Sequence, residues 1–236
     1  MKVGIVMPID LLENKYYNFS YSKFKRIIKE KADMIFNEKY SNLYCDKWIN
    51  YIKSIDKNLK YHFEKNNTKI QNSLYDEGEI FQKIEIIDKD CLVYYHFKIS
   101  YLRNMLKQLN WLPQEIKLEE FTCKNRIIDW EKQKLMDENL LKKEPIIMLQ
   151  FPSEDYDFIV IDGNHRISNE INKGSKQIQA FCLTTDFIIE NNVLLTDFEK
   201  IILILKKEIL NLYQYKKQHK FITNKELFKR SSIYPL

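Results

Sequence analysis

The chain has 236 residues, of which 44% are hydrophobic, 14% aromatic and 30% charged, with only four glycines and five prolines. That is ample for one large core or two small ones and argues against long disorder. The net charge is +5, from 38 basic and 33 acidic residues, a mild excess that permits nucleic-acid contact without demanding it.

Cys45, Cys91, Cys123 and Cys182 are scattered, with no Cys-x-x-Cys spacing. They suggest neither a zinc site nor a disulfide framework, as in a reduced cytoplasm. The apolar run within residues 1–9 is too short for a signal peptide, and residues 201–205 are far below membrane-spanning length. The expectation is a soluble cytoplasmic protein with no membrane partner.

In chain order, Phe24, Ile27, Ile28, Ala32, Ile35 and Phe36 recur at helical spacing, with Ser20 or Ser22 as cap. Trp48, Ile49, Ile52 and Ile55 predict a second amphipathic stretch. Asn66-Asn67 and Asp76-Glu77-Gly78 read as turns. Residues 80–87 and 92–97 read as a hairpin across Asp88-Lys89-Asp90. Residues 101–109 read as a helix that stops at Trp111-Leu112-Pro113. Residues 1–112 thus make a mainly helical extension whose role the sequence does not assign.

Residues 113–186 read as an α+β core, a small mixed sheet of three or four strands with packed helices. Residues 131–141 are a helix candidate with Leu135, Leu140 and Leu141 on its apolar side; Pro145 then starts a strand. Apolar runs at 158–161 and 178–183 flank a helix expected to begin at Arg166 and to close at Gly174. Residues 187–236 form a C-terminal helical segment. Its long helix carries Phe198, Ile201, Ile202, Leu205, Ile209, Leu212 and Tyr213, capped by Thr196 or Asp197. The tail at 216–230 is basic, with Tyr213, Tyr215 and Phe221 interleaved; such a run is usually a solvated face, yet it allows weak nucleic-acid binding.

The most informative stretch is Asp162-Gly163-Asn164-His165-Arg166. A strand that ends in Asp-Gly and opens a helix leaves free backbone N–H groups at the helix start, where the dipole favours an anion. His165 and Arg166 add donors suited to phosphate. Gly163 grants close backbone approach or a positive φ. Asp162 either binds metal or a ribose hydroxyl, or shapes the turn. Asn164 either donates to phosphate oxygens and helps hold Mg²⁺, or simply forms the turn. Glu170, four residues after Arg166, is placed to brace it. His62, His96 and His219 have no partners in spacing and read as structural.

Pro145-Ile146-Ile147-Met148, then Val160 through Arg166, then Gly174 and Ile178-Gln179-Ala180-Phe181 follow one another in an order that resembles the core of the ParB/sulfiredoxin-like superfamily. The resemblance covers about residues 115–185, with Glu115 to Phe121 as the family's first strand. It implies a nucleotide-binding protein holding ATP or another NTP with Mg²⁺, its phosphates at residues 163–166. Sulfiredoxins carry a catalytic cysteine where Asn164 stands, so their activity is disfavoured. The kinase branch uses a glutamate after the first strand, and Glu119 and Glu120 match it by position; both equally suit solvated charges. Lys124 and Arg126 fall where relatives carry basic residues near the nucleotide. The implied activity is a phosphotransferase or NTP hydrolase acting on an unidentified acceptor, with His165 neutralising developing charge. The alternative is a nucleotide-switched DNA-binding module, disfavoured because no helix-turn-helix follows the core. A nuclease ranks third for want of a dense carboxylate cluster.

Overall fold

The computed structural model describes residues 9–10, 15–16, 19–76, 78–88, 91–123, 127–137, 143–153 and 155–235. The chain is α+β, as its patterning predicts. It divides into two compact units, one built from residues 1–76, 82–96 and 194–236, the other from 77–81 and 97–193.

The first unit opens on a short antiparallel pair, β1 (Ile9–Asp10) and β2 (Lys15–Tyr16). Helix α1 (Tyr21–Ile35) buries Phe24, Ile28, Ala32 and Ile35, spaced four, four and three apart so that one face is apolar. Helix α2 (Glu38–Asp76) buries Tyr44, Trp48, Ile49 and Ile52. It runs unbroken through Asn66 and Asn67, where the sequence suggests a turn. Asparagine is only a mild helix breaker, and with no glycine or proline nearby the helix continues.

Strands β3 (Ile80–Asp88) and β4 (Cys91–Lys98) pair with each other as the predicted hairpin; residues 89–90 of its turn lie outside the described residues. Helix α6 (Asp197–Gln218) is capped by Thr196, whose hydroxyl accepts from Glu199 N, and α7 (Asn224–Lys229) starts with a Thr223–Glu226 capping box. Glu208 of α6 ties the unit together, accepting from Tyr44 Oη at 2.8 Å, Trp48 Nε1 at 3.1 Å and Ser232 N at 2.6 Å. His96 is buried among partners, with Nδ1 2.9 Å from Glu199 Oε1 and Nε2 2.9 Å from Gln82 Oε1. It is a satisfied structural residue, as predicted.

The second unit contains α3 (Ile99–Gln108), β5 (Gln114–Lys117), a 3-10 turn (Leu118–Phe121), β6 (Ile128–Asp129), β7 (Ile146–Gln150), β8 (Phe158–Asp162), α4 (Asn164–Lys173), β9 (Gln177–Leu183) and α5 (Thr185–Glu190). Its sheet has five strands in the order β5-β9-β7-β8-β6. Strands β7–β9 and β6–β8 are parallel, while β5–β9 and β7–β8 are antiparallel. The central strand β7 is buried on both faces at Ile146, Ile147, Met148 and Leu149, which explains its continuous apolar run. Leu118, Phe121, Ile146, Met148, Val160, Ile167 and Ala180 form one core cluster, placing α4 and the 3-10 turn against the same sheet face.

Two expectations need correction. The first strand ends at Lys117, and residues 118–121 curl into the 3-10 turn, because that geometry buries both Leu118 and Phe121. Residues 131–137 are not helical; they run without regular structure along α4, whose side chains take up their backbone groups. Leu135 is accordingly exposed, while Leu140 and Leu141 lie outside the described residues.

Candidate functional site: the turn from β8 into α4

Strand β8 ends at Asp162, Gly163 turns the chain with φ +110°, and α4 begins at Asn164, two residues earlier than predicted. Gly163 is required twice over. Its φ lies in the left-handed region, and a Cβ there would sit 2.4 Å from Ile146 Cγ2 and 2.8 Å from Ile146 Cβ. At the other end, Gly174 (φ +73°) closes α4 with bonds from Gly174 N to Ile171 O and from Ser175 N to Glu170 O, a Schellman motif. No side chain caps the start of α4. The first-turn backbone N–H groups therefore lack the internal partner that a Ser, Thr or Asp cap supplies elsewhere.

The Arg166 guanidinium is taken up by protein partners. Its Nη2 donates to Asp162 Oδ1 at 2.9 Å, and its Nη1 donates to Pro145 O at 3.0 Å and also to Glu144 O. Burial pulls the Arg166 pKa below its ordinary value, and the neighbouring Asp162 works against that shift. Asp162 Oδ2 accepts from Arg103 Nη2. Arg103 Nη2 also reaches Pro145 O at 3.3 Å, and Nη1 lies 2.9 Å from Glu144 Oε2, out of hydrogen-bonding line, so that contact is ionic only. Two arginines and two carboxylates thus balance one another in a network that clamps the ends of β7 and β8 to α3 and α4.

The brace on Arg166 is therefore Asp162, four residues before it, and not Glu170. Glu170 instead accepts from Lys173 Nζ at 2.9 Å and Ser175 Oγ at 2.6 Å, and these bonds lower its pKa. Neither Arg103 nor Glu144 entered the sequence reading. A signal existed for Arg103: the buried face of α3 reads Ile99, Leu102, Arg103, Leu106, so an arginine occupies an apolar stripe.

The remaining predicted residues are placed as follows. Asn164 Oδ1 accepts from Glu131 N at 3.1 Å. His165 is half-buried, with Nδ1 3.1 Å from Lys134 O. Ser168 Oγ accepts from Gln133 N at 2.9 Å; Asn169 Oδ1 accepts from Met136 N at 3.1 Å, and its Nδ2 donates to Met136 O at 2.7 Å. One polar side of α4 thus holds the extended strap at 131–136 by its backbone. Asn169→Ala removes two of these bonds from a buried site. It is expected to cost about 1–3 kcal/mol in urea unfolding and to speed proteolysis at residues 131–136; unchanged proteolysis would show that the strap is held otherwise.

Glu119 and Glu120 are exposed on the 3-10 turn, and Glu119 lies 3.5 Å from Lys117, a solvated pair of little energetic weight. Arg126 and Lys124 lie outside the described residues. Cys182 faces the neighbourhood of Glu120, and its thiol pKa is raised by burial first and by Glu120 second, which makes it a poor nucleophile. Among the described residues no group of three or more His, Cys, Asp or Glu side chains is arranged to hold a metal ion, and no helix is long and apolar enough to cross a membrane.

No family model, curated protein or solved structure matches the chain. The likeness to the ParB/sulfiredoxin-like core rests on the motifs quoted above.

Proposed function

We propose that the chain is a ParB/sulfiredoxin-like nucleotide-binding protein whose phosphate subsite is the start of α4. The observation that carries this reading is a strand–glycine–helix turn without a side-chain cap, which leaves the backbone donors of the first turn of α4 uncapped and puts the half-buried His165 on that same turn. Arg166 and Asp162 serve as its frame. Their mutual pairing fixes the strand end against the helix and leaves anion recognition to main-chain N–H groups and His165.

Such a subsite suits phosphoryl chemistry, which depends on positioning and charge neutralisation more than on covalent groups. Mg²⁺ bound with a triphosphate would supply further neutralisation; the Asn164 amide oxygen, which accepts from Glu131 N, is the protein oxygen this reading offers it. Glu119 or Glu120, on the turn that shares a core cluster with Ile167 of α4, is the candidate base in a phosphotransferase or NTP hydrolase.

Calorimetry of the full chain with ATP, CTP, ADP and Mg²⁺ tests the reading. At least one nucleotide should bind, and His165→Ala should lower turnover more than affinity, as expected for a group that acts on the transition state. Absence of nucleotide binding and of phosphate release from all common NTPs would overturn it.

A further inference from the structure

The formal charge of the chain is concentrated in one place. Residues 213–230 hold six basic residues and one acidic residue, a net +5 equal to that of the whole protein, so the rest of the chain is balanced. Lys216 and Lys217 are engaged locally, with Lys216 Nζ 3.2 Å from Met34 O and Lys217 Nζ 4.3 Å from the centre of the Tyr213 ring. The one acidic residue, Glu226, turns its carboxylate to Thr223 in the α7 capping box. Glu226 itself is exposed and lines the groove between α6 and α7, and the other charged side chains there, Lys220, Lys229 and Arg230, are cationic.

That groove, of about 850 Å³, lies where α6 passes into α7. The His219 ring stacks on Tyr215 at 3.9 Å and 13°, and the Arg230 guanidinium lies 4.1 Å from the same ring centre. Two planar groups at those distances have room only on opposite faces of Tyr215, so Arg230, Tyr215 and His219 form a pile. His219 Nδ1, 3.0 Å from Tyr215 O, holds the imidazole in place. Beside the pile, Phe221 is 99% exposed, and Lys220 and Lys229 are exposed on the groove wall. Scattered surface apolar residues need no explanation, but here a fully presented ring stands among cations beside a preformed stack.

We infer that this groove binds single-stranded nucleic acid, with bases stacking on Phe221 and the end of the pile and phosphates meeting Lys220, Lys229 and Arg230. Aromatic platforms interleaved with cations are the means by which sequence-tolerant proteins hold single strands, because every base offers a flat face and every linkage a charge. The site lies wholly within the first unit and does not depend on the turn at residues 163–166.

Fluorescence anisotropy of the full chain with labelled oligo-dT of twelve nucleotides, at 50 to 200 mM KCl, tests the inference. Three phosphate contacts on a single strand give a slope of log affinity against log salt of about −2. Phe221→Ala should weaken binding about tenfold, and Lys220→Glu with Lys229→Glu should bring the slope to about −0.7. All three side chains are exposed, so the fold should survive these changes. Duplex DNA of the same length should bind several-fold more weakly, since its bases are already stacked. Equal affinity for inorganic polyphosphate together with indifference to Phe221→Ala would reduce the groove to a polyanion patch and overturn the inference. So would binding to vesicles containing phosphatidylserine in the absence of oligonucleotide binding.

Discussion

Asp162→Ala is expected to lower the unfolding free energy of the second unit by about 3–5 kcal/mol. Asp162 is the shared partner of Arg103 and Arg166, both nearly buried, and the charge balance of the cluster depends on it. Its removal leaves two guanidinium groups facing one another across a low-dielectric space, with only Glu144 to balance them. Asp162→Asn keeps an acceptor oxygen and the volume and should cost less. Urea unfolding followed by circular dichroism measures both; a loss below about 1 kcal/mol for Asp162→Ala would place the network in the weakly coupled, solvated class. The result also separates two roles for Arg166. A frame residue lowers stability when truncated, whereas a phosphate ligand lowers nucleotide affinity in a protein of unchanged stability.

Gly163→Ala should destabilise by about 2–5 kcal/mol, combining the left-handed φ with an overlap against Ile146. The two contributions can be separated. Truncating Ile146 to Ala removes Cγ2, the nearer atom, so the double variant should lose less than the sum of the two single variants. Additive losses would mean that φ strain and the overlap with Ile146 Cβ, which alanine keeps, account for the whole effect. The same overlap bears on the motif. A glycine before a helix is often read as making room for phosphate, and here the room is taken first by a side chain of β7.

The sequence alone determined a good deal. Periodicity and punctuation are local properties, so the strands at 146–150, 158–162 and 177–183, the close of α4 at Gly174 and the long C-terminal helix were all legible, and of its two candidate caps, Thr196 and Asp197, the structure selects Thr196. The glycine turn was legible for the same reason, since φ preference belongs to a single residue. Where local cues were weak the reading failed. Asn66-Asn67 carried too little turn propensity to stop α2, and the apolar spacing at 131–141 matched a helix although residues 131–137 run extended.

Only the tertiary structure decided what the charged and amide side chains of the turn do. Asp162 and Arg166 pair with each other four residues apart, a local pairing that did not enter the sequence reading, and their further partners stand far off: Arg103 lies 59 residues before Asp162, and the Pro145 carbonyl 21 before Arg166. Asn164 reads as a phosphate or Mg²⁺ contact or a turn former, and nothing in the sequence singles out Ser168 or Asn169, yet all three hold the backbone of residues 131–136, more than thirty positions away. A buried charge or amide must be matched by whatever group the fold brings to it. The residue type announces that need, and long-range packing alone selects the partner.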